Sequence, residues 1–574
     1  MPMNNRRPNP ARVLKATEQF LAALRPGVKK QNHSRQGAKP LRAACACLLL
    51  CLFACVSAAA QTSTYTNPVI AGDFPDPSVI RTGKDYWATA TTGDWMPHFP
   101  LLHSTDLVNW RAVGAVFQTP PSWARGDFWA PEITADRGRY FVYYTARRDD
   151  GPKKVGTLCV AVATAPAPAG PYTDHGPLVC QISELKNVGS IDAFFVRDEN
   201  NQPYLVWKAD GNDAEPDQPT SIFAQPLSED GTRLLGKRKE ILRNTAPWEK
   251  HVTEGSAIIR RGGWFYHFYS GNACCGRGCD YALGVARARK LLGPWEKHSS
   301  NPILDENEAW QCPGHGSIVT TEDGRDFLLY HAYPRRAGAF TVGREALLDE
   351  IKWNDDGWPS INAGRGPSGT APAPHALAAT LAPAEFFDDF KLAQLDASWQ
   401  WPMRSQQSAR VDASSGQLVL QPGAAQTSDE LTGAVLARRA SSGDYVATTA
   451  VDTRALGTKG RAGLSAYSWR EDAVGVSVGG GRVFVWRREG REQQTPAATD
   501  APASALLYLR MTVKGGERFS FAFSTDGREW KEVGGTISAG NVESAHVALT
   551  AGGVTATARF DWLRVTEAGA AKKN

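Results

Sequence analysis

The chain has 574 residues and a mass of 62.2 kDa, more than one hydrophobic core usually organises, so we expect two folded domains with extensions. Its formal net charge of +5 is concentrated at the N-terminus: residues 1–60 hold 10 Lys or Arg and one acidic residue, which leaves 54 basic and 58 acidic side chains elsewhere. The resulting net charge of −4 removes the main electrostatic argument for nucleic-acid binding.

The first 60 residues have the pattern of a targeting signal. A basic stretch ends at Arg42, and an uncharged run from Ala43 to Ala60 ends in three alanines that offer a cleavage site. We therefore predict a signal peptide region at residues 1–60 and a secreted or periplasmic protein without stable membrane insertion after cleavage. A membrane anchor is the alternative, although about 18 apolar residues barely span a bilayer. A lipoprotein signal at Cys55 is weaker, because Phe53 suits that motif poorly.

Six cysteines follow this segment, and an even number in an exported protein favours disulfides. They are Cys159, Cys180, Cys274, Cys275, Cys279 and Cys312. Six cysteines allow about 15 pairings, which the sequence does not distinguish. A zinc cluster built from the last four is the alternative, although adjacent cysteines fit tetrahedral ligation poorly.

A unit of about 60 residues occurs five times between residues 65 and 362, each time as a lead-in with an acidic residue or His followed by an aromatic-rich strand. The aromatic markers, spaced by 54, 64, 60 and 63 residues, are Tyr86, Tyr140, Tyr204, Trp264 and Phe327. Runs rich in Val, Tyr, Phe, Trp and Thr alternate with Gly, Pro and Asp turns, and each unit has room for four antiparallel strands. We predict an all-β protein in which these units close into a five-bladed β-propeller at residues 61–362.

The remainder of the chain predicts a second β domain. Residues 363–384 are rich in Ala, Gly and Pro and nearly uncharged, which is typical of a linker. Residues 385–567 alternate apolar with polar side chains in many short stretches, which favours a concanavalin-like β-sandwich. Residues 568–574 are expected to be a disordered tail.

The lead-in segments are expected to form the innermost strands of the blades, so that their ionisable side chains surround one axis. These side chains, which lie 10, 8, 12, 10 and 12 residues before their markers, are Asp76, Glu132, Asp192, Glu254 and His315. The prolines on both sides of Asp76 predict an extended backbone there. The small residues Gly255 and Ser256 leave space for a ligand beside Glu254.

Three acids from three blades favour glycoside hydrolysis, which needs one protonated carboxyl group for the leaving oxygen and one ionised carboxylate. Asp76, Asp192 and Glu254 supply this set, and a third carboxylate can raise the pKa of the acid by like-charge repulsion. Aromatic side chains in the same half of the domain are candidates for stacking on sugar faces, although each also fits a core position. They are Trp95, Trp123, Phe128, Trp129, Trp207 and Trp310.

Residues 65–362 resemble glycoside hydrolase family 43, a five-bladed propeller family of arabinan- and xylan-degrading enzymes. The stretches that carry the resemblance are, in chain order, Asn67-Pro68-Val69 with Phe74-Pro75-Asp76-Pro77-Ser78, His103-Ser104-Thr105-Asp106-Leu107-Val108-Asn109-Trp110, Trp129-Ala130-Pro131-Glu132, Ile191-Asp192, Thr253-Glu254-Gly255, Gly314-His315-Gly316-Ser317 and Gly343-Arg344-Glu345.

The resemblance implies an inverting mechanism with three catalytic residues. Asp76 falls where the family has its general base, which activates a water on the face opposite the leaving group. Glu254 falls on the general acid, and Asp192 falls on the acid that tunes it and helps orient the sugar.

Binding roles are also implied by the resemblance. His315 resembles a histidine on the propeller axis that touches a central metal, commonly calcium, through water; no organic cofactor is expected. Arg344 matches an arginine near the sugar at the cleavage site. Trp129 and Trp207 are assigned to substrate binding, together with Glu132, which stands where the family commonly has an aspartate.

Two features point to different specificities. The paired cysteines 274 and 275 resemble a loop of the family's endo-arabinanases. The appended domain, with Asp388-Asp389-Phe390 and Trp399-Gln400-Trp401, resembles the C-terminal domain of its β-xylosidases and arabinofuranosidases.

We therefore predict a secreted inverting glycosidase acting on arabinose- or xylose-containing plant cell-wall polysaccharide or oligosaccharides. Exo-action, as an α-L-arabinofuranosidase or β-xylosidase, is the first choice, and endo-α-1,5-L-arabinanase is the alternative. A non-catalytic carbohydrate-binding protein is the alternative from another class, and retaining fructan chemistry on a related five-bladed fold is a third. The anomeric configuration of the product discriminates inversion from retention.

Overall fold

The structure is a computed structural model that describes residues 63–148, 157–180, 188–214, 220–377, 385–405, 407–426, 429, 431–468, 470–490, 492–553 and 556–567. The predicted signal peptide region and tail lie outside these residues, as do positions 378–384 of the predicted linker. No helix in the described ranges has the length and apolar character needed to cross a membrane.

The first part of the described chain forms five four-stranded antiparallel sheets, which we call blades 1 to 5. The strands are Ser78–Thr82, Asp85–Thr89, His98–Ser104 and Arg111–Phe117 in blade 1; Gly126–Asp136, Arg139–Arg147, Leu158–Ala165 and Thr173–Val179 in blade 2; Gly189–Arg197, Pro203–Asp210, Ser221–Pro226 and Lys239–Arg243 in blade 3; Thr253–Arg261, Trp264–Gly271, Ala282–Ala288 and Glu296–Lys297 in blade 4; and Trp310–Thr320, Asp326–Pro334, Glu345–Trp353 and Pro359–Ile361 in blade 5. The first strands contact one another in a closed ring, as a β-propeller requires.

The five aromatic markers lie near the beginning of the second strand of each blade, where Tyr86, Tyr204 and Phe327 are buried between neighbouring sheets. The apolar faces of adjacent blades pack on each other, and this packing forms the core clusters of the propeller. The repeat in the sequence therefore corresponds to one blade of the fold.

The ends of the propeller are joined by a short two-stranded sheet. Thr64–Thr66 pairs with Thr370–Pro372, which lies within the segment predicted as a linker. His375 of that segment also lies 2.7 Å from the hydroxyl oxygen of Tyr86. The described part of residues 363–384 is thus bonded to the propeller rather than free of it.

The second domain is a sandwich of two antiparallel sheets, as the alternating pattern predicts. The nine-stranded sheet contains Glu385–Asp388, Ser408–Asp412, Gln417–Gln421, Tyr445–Asp452, Leu506–Lys514, Arg518–Ser524, Lys531–Glu532, Ile537–Ser538 and Ala558–Glu567; the six-stranded sheet contains Ala434–Arg439, Arg461–Tyr467, Ala473–Gly479, Arg482–Glu489, Glu492–Asp500 and His546–Gly552. The inward-facing side chains of both sheets form one large hydrophobic core.

The sandwich is joined to the propeller by backbone pairing as well as by side chains. Trp401–Pro402 forms a two-stranded ladder with Trp95–Met96 of blade 1. The ring of Trp95 stacks on the imidazole of His546, with centroids 3.9 Å apart. This junction brings one end of the sandwich to the face of the propeller where the lead-in segments begin.

The helices in the described part of the chain are short. Its α-helical turns are Gly211–Ala214 and Ala339–Val342, and its 3-10 turns are Pro247–Glu249, Asn362–Gly364, Ala424–Gln426 and Thr453–Ala455.

The six cysteines pair as three disulfides: Cys159–Cys180, Cys274–Cys275 and Cys279–Cys312. The disulfide interpretation is therefore confirmed by the structure, and the zinc alternative is wrong because its four thiols are consumed. Within the described residues, no group of three or more His, Cys, Asp or Glu is arranged to hold a metal ion.

Candidate active site

A β-bulge in the first strand of blades 2 to 5 breaks the pairing with the second strand. The residue inside each bulge has a left-handed backbone: Ala130 (φ 42°), Asp192 (φ 56°), Gly255 (φ 62°) and His315 (φ 41°). Bulges re-aim side chains, and such strain concentrates at functional sites. In blades 2 to 5 the lead-in therefore contains a bulge that changes the direction of its side chains.

Asp76 has the same backbone conformation, with φ 52°. The extended backbone predicted from its flanking prolines is therefore wrong. The backbone N–H of Asp76 donates to Nδ1 of His331 (3.1 Å), and Thr91 and Arg344 bind its carboxylate. These three tertiary contacts outweigh the local preference of a residue that precedes proline.

A polar side chain in the second strand of the preceding blade, or just beyond it, holds the bulges of blades 2, 3 and 5 and also holds Asp76 of blade 1. That side chain accepts a hydrogen bond from the left-handed residue's backbone N–H. The pairs are Thr91 with Ala130 (2.7 Å), Thr145 with Asp192 (3.3 Å), Ser270 with His315 (2.8 Å) and His331 with Asp76 (3.1 Å). A buried N–H without an acceptor is costly, so this ring of acceptors stabilises the strained positions.

Lys208 occupies this place in blade 3 and cannot accept a hydrogen bond. Its Nζ lies 2.5 Å from Oε2 of Glu254 instead, and 3.1 Å from Oδ1 of Asp210. The backbone N–H of Gly255 donates to Oδ2 of Asp192 instead (3.2 Å). Because Lys208 binds Glu254 and cannot accept from Gly255, the Gly255 N–H bonds Asp192, and this links Asp192 to the segment that carries Glu254.

Asp76 is set up as an ionised carboxylate. Its Oδ1 accepts from Nη1 of Arg344 (3.0 Å), and its Oδ2 accepts from the Thr91 hydroxyl (2.7 Å). Burial raises the pKa of Asp76, but the Arg344 guanidinium and the nearby His315 hold it well below its usual value. Burial also lowers the pKa of His331 to about 4, so this imidazole is neutral, as its role of acceptor at Nδ1 requires.

Asp192 and Glu254 have opposite electrostatics. Burial and the neighbouring Glu254 raise the pKa of Asp192 to about 7, although His315 and Lys208 oppose the rise. Burial raises the pKa of Glu254, but Lys208 and the Tyr281 hydroxyl (2.8 Å) bring it below its usual value. These opposite shifts favour protonation of Asp192 over protonation of Glu254.

The ring of His315 lies between the two aspartates. Its Nδ1 is 3.5 Å from Oδ1 of Asp76 and 3.8 Å from Oδ2 of Asp192. Calcium prefers six to eight oxygen ligands, and both carboxylates already bind protein donors. The described residues therefore offer no oxygen cage at His315. The predicted calcium contact through water stays a prediction, and no catalytic step is assigned to a metal.

A cavity of about 260 Å³ adjoins Asp76. Thr91 and Arg344, which contact the Asp76 carboxylate, line it, whereas the three acids do not. Its wall comes from both domains: Asp73, Pro75, Thr91, Thr92, Gly93, Asp94, Trp95, Asp127, Trp129, Cys275, Gly276, Tyr333, Phe340 and Arg344 belong to the propeller, and Arg470, Glu543 and Ser544 belong to the sandwich.

The predicted binding residues separate into two groups. Trp129 and Arg344 line this cavity, as does Trp95. Trp207 is wholly buried against Phe223 in the core between blades, so its assignment to substrate binding is corrected. Phe128 and Trp310 are also buried, and Trp123 donates to Asp174 (3.2 Å).

Glu132 lies away from the cavity because of its register. It stands two residues after the bulged Ala130, the position that Ser317 occupies after His315. Its Oε2 accepts from the Ser78 hydroxyl (2.6 Å), which ties blade 2 to blade 1. Burial raises the pKa of Glu132 to about 8. The structure thus gives Glu132 a contact between blades rather than a place among the cavity residues.

Sequence reasoning missed the side chains that hold the acids, above all Lys208, His331 and Tyr281. One signal was present: Lys208 is a single charge in the otherwise apolar run from Pro203 to Ala209, and a lysine is rarely buried without a partner. No local signal marked His331 or Tyr281.

Comparison with known proteins identifies the families of both domains. Residues 65–359 match the family described as Glycosyl hydrolases family 43, and residues 387–566 match the Beta xylosidase C-terminal Concanavalin A-like domain. The chain is 29% identical over 500 residues to Xylosidase/arabinosidase 43B of Humicola insolens, covering 82% of this chain and 89% of that protein.

Two further proteins are similar. The Extracellular exo-alpha-(1->5)-L-arabinofuranosidase of Streptomyces avermitilis is 31% identical over 321 residues, which is 53% of this chain and 64% of that one. The crystal structure of the GH43 BlXynB protein from Bacillus licheniformis superposes with a TM-score of 0.74 at 26% identity, covering 88% of this chain and 100% of that one. The chain belongs to glycosyl hydrolases family 43 and is a glycosidase.

Proposed function

We propose that the protein is an inverting, exo-acting glycosidase that releases arabinofuranosyl or xylosyl units from xylan- or arabinan-type substrates. The observation that carries the proposal is that the carboxyl groups on the two sides of His315 have opposite pKa shifts. On one side of His315 the Arg344 guanidinium keeps the pKa of Asp76 low, and on the other side burial and Glu254 raise the pKa of Asp192 to about 7. Inversion needs such a base and such an acid.

Asp76 is the proposed general base. Its Oδ1 is fixed by Arg344, and the left-handed backbone at Asp76 is fixed by His331. A carboxylate held ionised in this way accepts a proton from the attacking water as that water bonds to the anomeric carbon. Arg344 lines the cavity and orients the sugar as well as the base.

Glu254 is the proposed donor to the leaving oxygen, with Asp192 as its partner. Lys208 stabilises the ionised form of Glu254, so protonation of the pair is favoured at Asp192. Glu254 therefore has to become the protonated member of the pair before the glycosidic bond breaks. Lys208 is the side chain that opposes this change.

Exo-action is supported by the wall that the sandwich adds to the cavity. Glu543 and Ser544 close one side beside Asp73 and Phe340. The backbone N–H of Ser544 donates to the Phe340 carbonyl (2.8 Å), so this wall is tied to the propeller. A closed end admits a chain terminus and excludes the middle of a polysaccharide.

Endo-arabinanase activity remains the second candidate because of one observation. Cys275, of the Cys274–Cys275 disulfide, lines the same cavity, and this paired-cysteine loop resembles that of endo-arabinanases. Secretion is supported by the three disulfides, which persist in oxidising compartments, and by the extracellular relative of Streptomyces avermitilis.

Product analysis tests the proposal. Linear arabinan, arabinoxylan and aryl α-L-arabinofuranoside and β-D-xyloside are supplied, and the anomeric configuration of the first product is followed by NMR. We expect monosaccharide with inverted configuration and no turnover by Asp76→Ala. Oligosaccharide products would favour the endo alternative, and retained configuration or an active Asp76→Ala variant would contradict the roles proposed here.

A further inference from the structure

Asp73 is a carboxylate on the cavity wall that the proposed mechanism does not use. Its Oδ1 accepts from the backbone N–H of Arg344 (2.8 Å), and the next residue, Phe74, donates its N–H to the Arg344 carbonyl (2.7 Å). The main chain of Arg344 is therefore bonded in both directions by two consecutive residues just before Asp76.

The approach of Asp73 to this segment requires a glycine. Gly343 has φ +91°, and a Cβ added there would lie 2.3 Å from Oδ1 of Asp73. Any side chain at this position would displace the carboxylate. The Asp73 carboxylate therefore packs directly against the backbone of the turn before Arg344.

The sandwich contacts the same carboxylate. Ser544 lies on the cavity wall with Asp73, and the Ser544 side chain and Arg439 both favour the ionised form of Asp73, which lowers its pKa. The Arg439 guanidinium lies over the ring of Phe74, 5.4 Å from its centroid. The Ala440 carbonyl comes so close to Gly72 that a Cβ there would lie only 2.8 Å from the oxygen.

The backbone that carries Ser544 is itself fixed against the propeller. The N–H groups of Ser544 and Ala545 donate to the carbonyls of Phe340 (2.8 Å) and Thr341 (2.6 Å), on the helical turn before Gly343. Ser544 has a left-handed backbone, with φ 47°. The two consecutive N–H groups at Ser544 and Ala545 thus hold a strained backbone against the propeller. Such strain persists only where the surrounding contacts fix it, which favours an ordered contact between the domains here.

The charges around Asp73 are balanced across the domain boundary. Burial raises the pKa of Asp73, whereas Arg344, Arg439 and Ser544 lower it. Burial lowers the pKa of Arg439 to about 10, and Asp73 opposes this change. Arg439 therefore stays cationic at neutral pH and is an electrostatic partner of Asp73 from the sandwich.

We propose that Asp73 is a positioning residue through which the β-sandwich, by Ser544 and Arg439, sets the orientation of Arg344 against Asp76. The sandwich is then a working part of the catalytic site as well as a wall of the cavity. The proposal rests on the function proposed above, because Arg344 and Asp76 are its targets.

Steady-state kinetics on the full chain with an aryl glycoside test the proposal. Wild-type turnover is measured first, and its absence would reject the proposed function rather than this inference. We expect kcat/KM to fall by about tenfold or more in Asp73→Asn, and by about tenfold in Arg439→Gln and Ser544→Ala. Arg439→Lys, which keeps the charge, should recover most of the loss.

Matched controls come from the same strand and the residues after it. Arg438→Gln removes a guanidinium that lies on Phe386 within the sandwich, and Ser441→Ala removes a hydroxyl that donates to Glu567. Both controls should keep kcat/KM within about twofold of wild type, since surface or remote contacts contribute little. Thermal unfolding of every variant separates loss of fold from loss of function.

Two readouts decide between positioning and mere structural support. A misplaced Arg344 binds the sugar less well and raises KM, whereas partial unfolding lowers kcat and leaves KM unchanged. In the double variant Asp73→Asn with Arg439→Gln, the loss should equal that of Asp73→Asn alone, because Arg439 is proposed to act on Arg344 through the charge of Asp73. Additive losses, unchanged KM, or no rescue by Arg439→Lys would overturn the proposal.

Discussion

Nζ of Lys208 lies 2.5 Å from Oε2 of Glu254, at the place where blades 2, 4 and 5 carry a hydrogen-bond acceptor. In each of those blades the side chain accepts from the bulged residue of the next blade. In blade 3 a cation replaces the acceptor and binds a carboxylate. The lysine thus stabilises the ionised form of Glu254 and lowers the pKa of that carboxyl group.

Replacing Lys208 should raise the pKa of Glu254. In Lys208→Met, the cation that lowers the pKa of Glu254 is lost while burial, which raises it, remains. We expect the basic limb of the pH profile of kcat/KM to move to higher pH by about one unit or more. Lys250→Met, which breaks an exposed ion pair with Asp280, is the control. An unmoved basic limb would mean that Glu254 does not supply the proton.

Leaving-group dependence assigns the donor. A variant without its general acid loses activity on poor leaving groups, which need protonation, far more than on activated ones. We expect Glu254→Gln to lose about 100-fold or more on xylobiose or arabinobiose but much less on a dinitrophenyl glycoside. Asp192→Asn should affect both substrates to a similar extent. The reverse pattern would make Asp192, whose pKa is raised by burial, the donor.

Stability should depend on pH through Asp192. Burial raises its folded pKa to about 7, above the usual value of 3.8. Between those values the folded state binds the proton more tightly than the unfolded state, so the free energy of unfolding falls as pH rises through this window. Asp192→Asn removes this term. We expect the variant to gain stability relative to wild type from pH 5 to pH 8, by a few kcal/mol at most. Equal pH slopes by calorimetry would contradict the assigned protonation.

The ring of acceptors can be tested at Ser270. Ser270→Ala leaves the His315 N–H without its acceptor, which should cost about 1–3 kcal/mol of unfolding free energy. Ser465→Ala is the matched control, because the Ser465 hydroxyl is buried without a hydrogen-bond partner among the described residues. Urea unfolding of both variants measures the difference. Equal costs would mean that the hydroxyl at Ser270 does not hold the bulge.

The predicted calcium is tested by its effect on unfolding. An ion bound at His315 would raise the melting temperature of the folded protein with increasing calcium concentration, and a chelator would lower it. We expect His315→Ala to lose that response, whereas His175→Ala, whose imidazole bonds Thr164 on blade 2, keeps it. A wild-type protein that melts at the same temperature with calcium and with chelator would contradict the prediction.

Much of the site was predictable because the repeat was visible. The spacing of the aromatic markers predicted the blades, and the three acids were found from the lead-in before each marker. The number of residues between Glu132 and its aromatic marker did not predict where the Glu132 side chain lies. Its distance from Tyr140 suggested a position on the axis, but the bulge at Ala130 leaves it two residues away, bonded to Ser78.

The sequence by itself determined the two β domains, the candidate acids and the disulfide-forming character of the cysteines, since these depend on local periodicity and residue type. Tertiary structure decided the backbone of Asp76, the burial of Trp207 and the ionisation of Asp192 and Glu254. Each of these depends on groups from other blades, such as His331 for Asp76 and Lys208 for Glu254. A pKa or a strained backbone is set by what surrounds a residue in space, and closure of the ring creates those surroundings.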